Sequence, residues 1–155
     1  MSAPRLPRRT FLGRTGALAA GALVGNGLTG CAAFAAAPSP AEQLAMDSSD
    51  ALAAIRSGRL SAERYTTTLL ARADAMADLH ALIALDRAGA LAAARRVDAM
   101  RASGATLPAL AGLPIVVKDN INTRDLPTTG GTPALREWRP GANAPSLQKL
   151  IDAGA

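Results

Sequence analysis

Cysteine, histidine and aromatic side chains are scarce in this chain of 155 residues, and each scarcity excludes a class of chemistry. A single cysteine, Cys31, rules out an intramolecular disulfide. The single histidine, His80, leaves no His/Cys cluster of the kind that holds zinc, and a Ser–His–Asp mechanism would have to use that one imidazole. Aromatics make up 3% of the residues, so there is no set of rings on which nucleic-acid bases could stack. Glycines are common, but none closes a GK[ST] phosphate-binding loop. Much of the 49% hydrophobic content is alanine, which buries little area per residue and predicts a thin core.

The pI near 10.6 suggests an anionic partner until the charges are located. Residues 1 to 30 hold four arginines and no acid, leaving 13 of the 17 basic groups against 12 acidic ones in the remainder. That remainder is close to neutral, and nucleic-acid binding is not expected.

The four arginines precede a charge-free run from Thr15 to Ala41, the order of an export signal: a basic start, then a moderately apolar stretch. PRRTFLG at 7 to 13 resembles a twin-arginine signal with Arg8 and Arg9 as the pair, although Pro7 and Gly13 depart from the usual residues. The general secretory route is the alternative. LTGC at 28 to 31 resembles a bacterial lipobox, which would place a lipid on Cys31 after cleavage. Ala33-Phe34-Ala35 could instead be an ordinary cleavage site, or the run could span a bilayer uncut. The reading carried forward is an export signal over 1–30, a lipid anchor at Cys31, and a bacterial periplasmic or envelope location.

Residues 31 to 46 read as a small-residue linker, in which Pro38 and Pro40 discourage helix. From there the periodicity predicts a helix capped by Ser48 or Ser49 and stopped at Gly58, with Leu52 and Ile55 inward. Ser61 caps a longer helix bearing Leu69, Ala73, Met76 and Leu79. A brief strand follows at 81–85, then a helix from about Ala88 to Ala102 with Leu91, Ala94 and Val97 on one face. A second strand at 113–118, a long loop and a last helix near 144–153 complete an α/β order.

That second strand ends on the most informative residue. Leu113, Ile115, Val116 and Val117 form a run suited to a fully buried strand, and Lys118 follows directly. Desolvation at such a boundary favours a neutral amine, and a neutral lysine can act as a base where an arginine cannot. Asp119 beside it would hold the amine charged if the two paired, so its expected role is a loop-ordering acceptor pointing elsewhere. Thr128, Thr129, Gly130 and Gly131 read either as a loop lining the site or as a tight turn whose glycines supply positive φ. Ser61 reads as a cap, Ser103 as a helix end and Ser146 as a first-turn residue rather than nucleophiles.

LAGLPIVVKDNI at 110–121 followed by PTTGGT at 127–132 resembles the amidase signature family of Ser–Ser–Lys hydrolases, with Thr132 where many members carry serine. The resemblance runs from about Ser48 to Ala155, and GTPAL leans towards the indoleacetamide and mandelamide hydrolase subgroup. It implies an α/β fold with a mixed sheet covered by helices, of which 47–155 would be the N-terminal portion, incomplete. It implies that Lys118 is the base of the triad, that no cofactor or metal is needed, and that the substrate is a small-molecule carboxamide cleaved to acid and ammonia or amine. Both serines of the triad, and the glycine-rich GGSSGGS-type loop that goes with them, are missing from these residues. The chain by itself is therefore expected to be inactive. The competing expectation is a non-catalytic exported lipoprotein fragment or truncated gene product.

Overall fold

The computed structural model describes residues 36–155, so the export signal, Arg8, Arg9 and Cys31 lie outside the described residues. Five helices order the rest: α1 (Pro40–Ala45), α2 (Ser48–Ser57), α3 (Ala62–Ala75), α4 (Arg87–Ala102) and α5 (Pro145–Asp152). Single 3-10 turns stand at Ala77–Leu79 and Pro133–Leu135.

Each helix starts where its chemistry dictates. Ser39 and Glu42 form a reciprocal capping box on α1, and Pro40 takes the first helical position, where a missing N–H costs nothing. The linker expectation over 31–46 thus fails at 40–45: proline there starts a helix. Asp47, not Ser48 or Ser49, caps α2, its carboxylate accepting from the Asp50 N–H at 2.8 Å. As expected, α2 ends at Gly58 and Ser61 caps α3 through the Arg64 N–H at 3.0 Å. A second acceptor reaches the same helix end from α4: Asp98 takes the N–H groups of Ala62 and Glu63 at 2.9 and 3.0 Å.

The core is as thin as the composition predicts. Ala51, Ala54, Ala62, Ala94 and Ala111 are buried beside Ile55, Leu60, Tyr65 and Val97, with Met46, Leu69, Leu107 and Leu113 packed against them. The buried face of α4 follows the expected period at Ala94 and Val97, whereas Leu79 lies outside α3 and is 60% exposed. Gln43 is buried between α1 and α3, donating to the Pro38 carbonyl at 2.8 Å and accepting from the Thr68 hydroxyl at 2.7 Å.

The expected strands do not form among the described residues. Segments 81–85 and 113–118 carry no strand, and Val116 is 79% exposed. A strand is defined by a ladder with a neighbour, and no described segment offers these two a ladder. The result here is a helical layer with an unpaired extended segment, not a sheet.

Candidate functional site

Segment 110–118 is set over the helices by its glycine. Gly112 has φ +77°, and a Cβ there would meet the Ala62 Cβ at 2.7 Å and the Val97 Cγ1 at 3.2 Å. Only the smallest residue lets the chain run this close to α3 and α4. Beyond α5, the Ala153 and Gly154 carbonyls accept from Leu110 N–H and Gly112 N–H at 2.6 and 2.9 Å, which docks that helix against the same segment. The extended run ends at Lys118, whose carbonyl accepts from the Ile121 N–H at 2.9 Å and so turns the chain.

Lys118 lies on an open groove of about 330 Å³ whose walls are mainly Val116, Val117, Ile121, Leu147 and Leu150. Ser146, at the start of α5, shares this groove. Nothing in the sequence pattern signals that proximity, which comes from the docking of α5. The Lys118 side chain is exposed and has no ion-pair partner among the described residues. The fully buried strand end expected for it is therefore corrected: with no second layer over Val116 and Ile115, residues 36–155 leave the amine in solvent.

Asp119 turns the other way, as expected of a loop-ordering acceptor. Its Oδ1 accepts from the Thr129 N–H at 2.8 Å, and its Oδ2 accepts from the Gly131 N–H at 2.9 Å and from the Thr129 hydroxyl. Its main-chain carbonyl accepts from the Gly130 N–H at 3.0 Å. These donors, the Thr129 hydroxyl first, hold the carboxyl below the ordinary aspartate range despite partial desolvation. The carboxylate is consequently committed to the loop rather than to Lys118.

The loop it grips has Thr128 and Thr129 buried and Gly130 and Gly131 at φ +57° and +73°, the left-handed turn that one of the two readings requires. The other reading keeps its footing too: Thr129 and Gly131 line a second groove of about 220 Å³ with Thr132, Pro133 and Arg136. Thr128 lies beneath, its N–H donating to the Trp138 carbonyl at 3.1 Å and its hydroxyl accepting from the Thr123 N–H at 3.2 Å. Lys118 and the threonine–glycine loop thus face separate grooves, with Asp119 as the link between them.

Comparison with known proteins gives this arrangement a family. The amidase family model matches residues 64–155, more than half of the chain, and the chain belongs to that family. A glutamyl-tRNA(Gln) amidotransferase subunit of Salinispora tropica is 43% identical over 98 residues, covering 63% of this chain and 20% of the relative. The protein of the same name from Thermobifida fusca is 39% identical over 114 residues, covering 73% of this chain and 23% of the relative. A solved structure reported as a vestigial protein complex that reveals the evolutionary origins of an s-triazine catabolic enzyme superposes with a TM-score of 0.67 at 35% identity. That match covers 71% of this chain and 24% of the solved one. The chain therefore spans about a fifth of the length of the curated relatives it matches.

Proposed function

We propose that this chain supplies the general base of a Ser–Ser–Lys amidase, with Lys118 as that base. The observation that carries the reading is the commitment of Asp119: the one carboxylate adjacent in sequence is bound to Thr129 and Gly131, leaving the Lys118 amine facing an apolar groove without a counter-ion from its neighbour. In the active enzyme the groove is covered, and segments 81–85 and 113–118 join the mixed sheet of the family. Covering the groove removes water from the amine and favours its neutral form. Lys118 then takes a proton, through a bridging serine, from the serine that attacks the amide carbon; the lysine's conjugate acid returns a proton to the leaving nitrogen. Water deacylates the enzyme along the same relay. The nucleophile and its bridging serine come from outside these residues, so the chain alone has no amidase activity.

The substrate class is a small carboxamide. Relatives named as amidotransferases and the GTPAL lean towards indoleacetamide and mandelamide hydrolases agree on amide C–N chemistry and differ on the acyl group. In the active polypeptide that carries this segment, Lys118→Ala should lower kcat/KM by about 10²–10⁴-fold, the usual worth of a positioned acid–base group. Retention of most activity would remove Lys118 from the mechanism.

Export belongs to the same proposal: Arg8 and Arg9 engage the export machinery and Cys31 carries a lipid, placing the protein in the bacterial cell envelope. Labelling cells with a palmitate analogue, with Cys31→Ala as control, tests this; an unlabelled wild-type protein ends the lipoprotein reading.

A further inference from the structure

The N–H groups of the threonine–glycine loop are fully spent inside the protein. Thr128 N–H donates to the Trp138 carbonyl at 3.1 Å, and Thr132 N–H to the Thr129 carbonyl at 3.0 Å. The Thr129 and Gly131 N–H groups go to the Asp119 carboxylate, and the Gly130 N–H to the Asp119 carbonyl. A loop of glycines at positive φ beside a catalytic lysine has the general form of an anion-binding nest, the arrangement that stabilises an oxyanion. In this protein the nest is already filled by a carboxylate of its own chain.

We propose that Asp119 is a positioning residue: by filling the nest at Thr129–Gly131 it excludes that loop from oxyanion stabilisation and fixes the main chain at the point where Lys118 leaves the extended segment. The inference rests on the reading of Lys118 as the base. Mechanically it is simple. Lys118 and Asp119 share one peptide unit, and an extended chain sends neighbouring side chains to opposite faces. The Lys118 carbonyl, which belongs to that shared peptide, accepts from the Ile121 N–H at 2.9 Å. The next peptide is held through the Asp119 carbonyl, and the residue between the two by its carboxylate, so the direction in which Lys118 departs is set.

Variants at two positions separate this from a general loss of fold. Asp119→Ala empties the nest. Thr129→Val removes one hydroxyl donor and leaves both main-chain donors in place, while Thr129→Ser keeps the hydroxyl. In the active polypeptide, Asp119→Ala should lower kcat by up to about 10²-fold with KM within about two-fold, the pattern of a misaimed catalytic group. Thr129→Val should do the same to a smaller degree, and Thr129→Ser should restore wild-type kcat. Amide hydrogen exchange on the same proteins should show Thr129, Gly130 and Gly131 losing protection in Asp119→Ala, with the α3–α4 amides unchanged.

Unchanged exchange at the loop amides, or wild-type kcat in Asp119→Ala while Lys118→Ala is inactive, overturns the positioning role alone. Equal loss of kcat in Thr129→Val and Thr129→Ser also overturns it. An active Lys118→Ala removes the base and, with it, the role proposed for Asp119. A rise in kcat/KM on emptying the nest would mean that the loop can serve as an oxyanion site, the reverse of the proposal.

Discussion

Thr68 donates its hydroxyl to the side-chain carbonyl of Gln43, and this hydrogen bond ties α1 to α3. Gln43 is 1% exposed, so its amide cannot turn to water, and its other end is held by the Pro38 carbonyl. Gln43→Ala leaves the half-buried Thr68 hydroxyl and the buried Pro38 carbonyl short of partners, and should cost about 1–3 kcal/mol in a urea titration followed by circular dichroism. Gln43→Glu should cost at least as much near neutral pH, because it places a charge where none is compensated.

Asp98 joins two helices by capping one from within the other. Asp98→Ala should destabilise by about 1–2 kcal/mol, the ordinary worth of an N-terminal cap, even though Ser61 still holds the Arg64 N–H. Asp98→Ala combined with Ser61→Ala should fray the first turn of α3, read as loss of exchange protection at the Glu63 and Arg64 amides.

At Gly112 any side chain meets two penalties, the left-handed backbone and the Ala62 methyl at 2.7 Å. Gly112→Ala should therefore lose roughly 1–3 kcal/mol. Pairing it with Ala62→Gly relieves the second penalty only, so thermal denaturation of the double variant should recover part of the loss and not all of it.

The Asp119 carboxyl has a pKa held below its ordinary value by the loop donors. A group depressed in the folded state contributes stability that is fully present above its unfolded value of about 3.9 and is lost as pH falls through the lower folded value. The loop should hence stay closed on acidification to about pH 4 and open only below it. Emission from Trp138, whose carbonyl the loop's Thr128 N–H engages, should report that transition, and Asp119→Asn should abolish it.

Val116 presents 79% of its surface to solvent beside Ile115, on the wall of the lysine groove. An extended apolar segment with unsatisfied ladder positions invites pairing with another copy. The purified chain should self-associate with rising concentration in sedimentation velocity, and Val116→Lys should reduce that association markedly.

Where local chemistry decides, the sequence sufficed: the Ser61 cap, the end of α2 at Gly58, the Ala94–Val97 face of α4, and the outward commitment of Asp119. These depend on neighbours a few residues away or on a charge argument confined to one dipeptide. What failed depends on partners far along the chain. Segment 113–118 has the composition of a strand, but a ladder requires a second segment that residues 36–155 do not supply. Asp47 displaces Ser48 as a cap because a cap is chosen by where the first turn falls, which a run of acceptors in DSS leaves open. Pro40 defeats the linker reading because proline opposes a helix interior yet suits a helix start. The proximity of Ser146 to Lys118, set by the Ala153 and Gly154 carbonyls, has no signature in the order of residues.

The double grip on the head of α3 has a bearing on biosynthesis. Ser61 and Asp98 both precede Lys118 in the order of translation, and every contact between α3 and α4 joins residues that also precede it. A ribosome thus delivers the helical platform ahead of the lysine segment, which emerges onto a surface already assembled to receive Gly112.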